Sequence, residues 1–163
     1  MKKLYFIAVY PPQPIIDEIK KFKLDLALNY ANSKALKNEA HITLLPPFSR
    51  EIHLENDIHE AFQRIDTSIP PFEIELNGFG SFANPKNPVI YVKPENNEQL
   101  KILYQKVKET GHAHAAVFEK INNSYQSFSV VNNCNRAKLF FDYRNLILAY
   151  KKKSALLKVL FAV

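Results

Sequence analysis

Two apolar runs, each halted by a pair of prolines, set the terms for the first third of this chain. LYFIAVY at residues 4–10 ends at Pro11 and Pro12, and HITLL at 41–45 ends at Pro46 and Pro47. Both runs are rich in β-branched and aromatic residues, which favour strands. Proline cannot donate to a strand ladder, so each pair is expected to stop its strand. Between them Pro14 opens a stretch with apolar residues at Ile15, Ile19, Phe22 and Leu26, the four-three-four spacing of one helical stripe. The chain therefore begins strand, helix, strand.

The same reading continues with diminishing clarity. Asn56 or Asp57 is placed to cap a helix that buries Ile58, Phe62, Ile65 and Ile69. PFEIELNGFGSF (71–82) alternates as a strand and runs into a glycine-containing turn, and PVIYVKP (88–94) is a short strand after the NPKN turn. Asn97 can cap a helix carrying Leu100, Leu103, Tyr104 and Val107, with Gly111 as its closing glycine. SYQSFSVV (124–131), YRNLILAY (143–150) and LLKVLFAV (156–163) have strand character, and KKK at 151–153 fits a charged hairpin turn. Between Cys134 and Asp142 a turn or two of helix is expected. The order β-α-β-α-β-β-α-β-β-β implies a mixed chain with much antiparallel pairing.

Composition narrows the class. With 163 residues, 47% hydrophobic and 23% charged, the chain can bury a real core, and residues 1–163 are expected to form one domain or two lobes sharing that core. A formal charge of +6 favours anionic ligands, although lysines on helices are by default solvated. The single cysteine, Cys134, excludes an internal disulfide and a thiolate zinc cluster, and it fits a reducing cytoplasm. Nothing marks that cysteine as a nucleophile. MKK before the first run resembles a signal peptide, but seven apolar residues without a small-residue cleavage site are expected to be a buried strand. No segment reaches membrane-spanning length, and no obligate protein partner is evident.

The chemistry concentrates on EAHITLLPPF. On a strand, residues two apart share a face, so His41 and Thr43 present an imidazole and a hydroxyl together. The imidazole exchanges protons near neutral pH, and the hydroxyl can hydrogen-bond an anionic oxygen such as that of phosphate. The bare H-x-T pattern is equally met by a half-buried strand histidine bonded to backbone. Cleaving a phosphodiester by acid–base chemistry also needs a second proton carrier.

With its surroundings, HITLLPPF followed by GFGSF…NPVIYVKP resembles the two-histidine phosphoesterases, the family of RNA 2′,3′-cyclic phosphodiesterases and 2′-5′ RNA ligases. The resemblance spans roughly residues 3–110. It implies a bilobal α+β fold, with two antiparallel sheets flanked by helices around a central groove. It also implies one H-x-T/S motif per lobe, no metal or other cofactor, and RNA ends or small cyclic nucleotides as ligands. Carried over, His41 is a catalytic proton-transfer group and Thr43 its phosphate-binding partner. Groove aromatics of the family stack bases, which makes Phe48 and Tyr91 candidates for substrate binding, with core packing as their alternative.

The second motif should follow the third helix. There the chain reads NNSYQSFSVVNNC, which puts Ser127 at the histidine position and Ser129 at the Thr/Ser position. Two serines can hold a phosphate but cannot shuttle protons as imidazole does. Three explanations stand. The second lobe has degenerated into a binding surface; or His112 or His114 of GHAH substitutes; or the reading frame is shifted, because codons permitted for VVNNC also encode Leu-Thr-Ile-Ala, a common continuation of the family motif. His53 in a charged loop and His59 on a helix are expected to be solvated.

Overall fold

The computed structural model describes residues 1–66, 68–82, 89–95, 97–114, 128–129, 137–141, 146–152 and 155–160, the last four segments by backbone. Strand β1 (Lys2–Val9) leads to helix α1 (Gln13–Asn29), which starts with Pro14 in its first turn, where the missing N–H is no loss. Strand β2 (His41–Glu51) and helix α2 (Glu55–Gln63) follow, then strands β3 (Phe72–Phe82) and β4 (Val89–Pro94) and helix α3 (Glu98–Ala113). The described remainder is four strands: β5 (Phe128–Ser129), β6 (Ala137–Phe141), β7 (Leu146–Lys152) and β8 (Ala155–Leu160).

These strands make two antiparallel sheets, one in the order β5-β2-β1-β7-β8 and one in the order β4-β3-β6, so the fold is α+β as expected. Alternation along β1 explains how they are held. Tyr5, Ile7 and Val9 point into one large cluster with Ile15 and Ile19 of α1, Ile58 and Phe62 of α2, Ile74 of β3, and Leu103 and Val107 of α3. Phe6 and Ala8 point the other way, into a small cluster with Tyr10. Each fully buried aliphatic side chain contributes about 1.5–3 kcal/mol, so the shared cluster holds both sheets and all three helices as one body. Among the described residues no helix is long and apolar enough to cross a membrane.

Five local expectations are corrected. β2 does not stop at Pro46 but runs through both prolines to Glu51; its register against β1 shifts between Tyr5 and Ile7 and again between Ile7 and Ala8, and these irregularities absorb residues that cannot donate. β3 likewise continues past its glycines to Phe82, with Gly78 at φ +66° beside a register shift between Leu76 and Phe79. Asn56 and Asp57 sit inside the first turn of α2 rather than capping it, and Leu54 holds the cap position with no side-chain bond. α3 passes through Gly111, which is buried, to Ala113. The stretch expected to turn as helix before Asp142 contains β6, which pairs with β3 from Phe72↔Phe141 to Leu76↔Ala137. At the charged hairpin, Lys151 and Lys152 end β7 and Lys152 faces Ala155 of β8.

Candidate functional site

β2 fixes the site because its second and third residues pair with the end of β1, Val9 with Ile42 and Ala8 with Thr43. Ile42 enters the large core, so His41 and Thr43 take the opposite face, the one that carries Phe6 and Ala8. The His41 ring tilts against Phe6 with centroids 5.1 Å apart. Thr43 is 8% exposed, so its hydroxyl lies at the floor of this face rather than at its rim.

The protonation of His41 follows from its hydrogen bond to backbone. Its Nδ1 lies 2.9 Å from the Glu39 carbonyl oxygen, which can only accept, so Nδ1 carries the proton and Nε2 keeps its lone pair when the ring is neutral. Burial pushes the His41 pKa below its ordinary 6.5; the Glu39 carbonyl pulls it back up, the Lys23 ammonium lowers it, and the Glu39 carboxylate raises it. The bond to backbone thus leaves one ring nitrogen available as a base.

A second layer surrounds Glu39. Lys23 of α1 is buried, 5% exposed, and its Nζ donates to the Asn38 carbonyl at 2.6 Å. The Tyr10 hydroxyl donates to the Glu39 carboxylate at 3.1 Å. Neither Lys23 nor Tyr10 was singled out in the sequence, where a helical lysine is assumed to be solvated. The signal was present nonetheless, because Lys23 continues the i, i+4 row of Ile15 and Ile19.

The second half of the site is seen in backbone only. β5 pairs with the start of β2, His41 opposite Ser129 and Ile42 opposite Phe128. Phe128 and Ser129 therefore lie beside the H-x-T strand, and the residue in register with His41 is a serine. Ser127 and the frame-shift candidate VVNNC lie outside the described residues.

The other candidates are spread over the molecule. Phe48 is buried in the large core and stacks on Tyr5 with centroids 5.9 Å apart, so it packs on the face away from His41. Tyr91 lies on β4, stacked on Phe82 with centroids 4.6 Å apart and so close to Gly80 that a Cβ there would collide with its ring. β4 itself lies against β5, one strand removed from His41. His112 falls in the last turn of α3. The His114 ring is tied to the Thr110 carbonyl at 3.0 Å and to Arg64 at 3.3 Å, contacts that belong to the α2–α3 end. His53 is exposed, whereas His59 departs from the solvated expectation: it is half-buried, and its Nε2 is shielded from solvent. Among the described residues no three or more His, Cys, Asp or Glu side chains gather as a metal site.

A protein of Geobacillus kaustophilus named "Putative phosphoesterase" is 29% identical over 103 residues, 63% of this chain and 56% of the relative. A similarly named protein of Bacillus licheniformis is 27% identical over 103 residues, 63% of this chain and 57% of that one. The chain thus spans little more than half the length of these curated relatives. In fold it is similar to LigT of E. coli, solved with 3′-AMP, at TM-score 0.60 and 13% identity over 99% of this chain and 97% of that one. It is also similar to TT0787 of Thermus thermophilus, at TM-score 0.57 and 17% identity over 98% and 95% of the two chains. Residues 11–127 match the 2′-5′ RNA ligase superfamily, a span that includes His41 and Thr43 and stops short of Ser129, and the chain belongs to that superfamily of two-histidine phosphoesterases.

Proposed function

We propose that this chain binds 2′,3′-cyclic or 2′-5′-linked phosphates, at RNA ends or on small nucleotides, and acts on them through acid–base chemistry at His41. The observation that carries the reading is the state of that imidazole. Its Nδ1 is committed to the Glu39 carbonyl, and its Nε2 is left with a lone pair on the face it shares with Thr43. In this reading Nε2 takes the proton of the attacking oxygen, or returns it to the leaving one, while the Thr43 hydroxyl donates to a phosphate oxygen. Ser129, opposite His41, adds a second hydroxyl for the same phosphate, and Ser127 and Tyr91 are further candidates for ligand contact. The two lobes of the family pattern would here share one domain. The 3′-AMP held by LigT belongs to the same ligand class, a nucleotide with its phosphate on the ribose.

The serine at the histidine position of the second motif, Ser127, favours a second reading. A serine hydroxyl does not exchange protons near neutral pH, so the chain on this reading is a nucleotide-binding module that has lost turnover. One experiment separates the two. The purified protein is incubated with 2′,3′-cyclic nucleotides and short cyclic-phosphate RNAs, beside His41→Ala. Turnover that falls by about a hundredfold or more in the variant supports the enzyme, the range expected for loss of a general acid–base group. Binding without turnover supports the module. Neither binding nor turnover overturns both.

A further inference from the structure

We infer that Lys23 is a positioning residue for His41, acting through the Asn38–Glu39 backbone to fix which ring nitrogen carries the proton. The inference deepens the acid–base reading of His41 and rests on it for its catalytic meaning, but its structural content stands on separate observations.

Lys23 is out of place by every rule of its helix. It lies in the buried row of Ile15 and Ile19, 5% exposed, where an apolar side chain of the same length would fill the space without removing a charge from water. Helix propensity does not ask for it either, since methionine and leucine serve as well as lysine. What the ammonium does is reach across to the segment before β2 and donate to the Asn38 carbonyl at 2.6 Å. The next carbonyl along, that of Glu39, accepts from His41 Nδ1 at 2.9 Å. Pinning one carbonyl limits the rotation of the peptide that carries the other.

The Glu39 side chain holds the same segment from the opposite direction. Its carboxylate accepts from the Tyr10 hydroxyl at 3.1 Å and interacts electrostatically with both Lys23 and His41. Three places therefore converge on a two-residue connection: α1 through Lys23, the residue that follows β1, Tyr10, and β2 through His41 itself. Glu39 is exposed, so loosening these ties lets its carbonyl turn toward water. The imidazole would then lose its acceptor and mix its two tautomers, as an unconstrained histidine does.

The test reads the tautomer directly. Nitrogen-15 imidazole NMR of the full chain is recorded for the parent protein, Lys23→Met, Lys23→Arg and Tyr10→Phe, with turnover measured separately on 2′,3′-cyclic nucleotides. The parent is expected to hold His41 with its proton on Nδ1. Lys23→Met is expected to lower the ratio of Nδ1–H to Nε2–H by about fivefold, the size of one net hydrogen bond. Lys23→Arg keeps the charge but changes the donor geometry, and it should shift the ratio in the same direction by less. It also serves as the decisive variant should Lys23→Met not fold. A folded Lys23→Met, or in its place Lys23→Arg, whose His41 tautomer equals that of the parent overturns the inference. A chain without turnover whose tautomer still follows Lys23 supports the positioning role and removes only the hydrolytic reading.

Discussion

At the scale of single residues, His41 combines features that seldom coincide on a strand. It is half-buried, tilted against an aromatic ring and bonded to backbone through Nδ1, which leaves Nε2 without a proton when the ring is neutral. Desolvation lowers its pKa below 6.5 against the smaller upward pull of the Glu39 carbonyl, so the folded protein prefers the neutral ring. The unfolded chain binds the proton more readily, and stability must fall as pH drops. The contribution is complete above about 6.5, where the unfolded histidine is neutral, and is lost as pH falls through the lower folded midpoint. Urea unfolding between pH 7.5 and 5 should therefore show a falling midpoint, and His41→Asn should flatten that fall. An equal slope in the variant would show that other groups carry it. The H-x-T pair was legible in the sequence because its chemistry lies in adjacent letters. Lys23 was not, because its role depends on a carbonyl fifteen residues away that only the packing of α1 against the segment before β2 brings within reach.

At the scale of elements, the junction of β3 and α3 shows a cap doing two tasks. The Asn97 side chain accepts from the Leu100 N–H at 3.0 Å, closing the first turn of α3, and its amide donates to the Glu73 carbonyl of β3 at 2.5 Å. Asn97→Ala removes both, and loss of the cap alone costs about 1 kcal/mol. The predicted result is a lower thermal midpoint with phosphate binding unchanged, since α3 enters the core through Leu100, Leu103 and Val107 rather than through the His41 face. That cap was readable from sequence because asparagine three residues before a periodic apolar row has a local cause. The lengths of β2 and β3 were not. Prolines and glycines mark where regular pairing fails, but a strand can survive the failure by shifting register, and the choice is made by the neighbouring strand rather than by the residues themselves. β6 was missed for a related reason: its five residues gain their place only by pairing with β3, far away in sequence.

At the scale of the whole molecule, the charge of +6 and the site make different claims about the ligand. An excess of cations draws polyanions, but only unpaired cations arranged along a track hold a strand. Several of the described cations are already engaged: Lys3 with Glu55, Arg64 with Glu60, Lys101 with Glu98 and Lys106 with Asp66, while Lys23 is buried. The Asp66 carboxyl is accordingly held well below the usual carboxylate range by Lys106 and Ser68. These pairings leave fewer of the described cations to hold a strand, and the prediction is that the ligand is gripped at its phosphate end rather than along its length. This predicts how affinity depends on salt. A ligand bound through one phosphate loses roughly threefold in affinity between about 50 and 200 mM salt, whereas a single strand held through about three phosphates loses roughly twentyfold. Binding of a 2′,3′-cyclic mononucleotide and of a short RNA with the same terminus is measured across that range by fluorescence anisotropy or calorimetry. Both are expected to weaken by about threefold. A twentyfold loss confined to the RNA would show that the basic surface tracks the strand, and it would move the search for binding residues from the His41 face to the lysines around it.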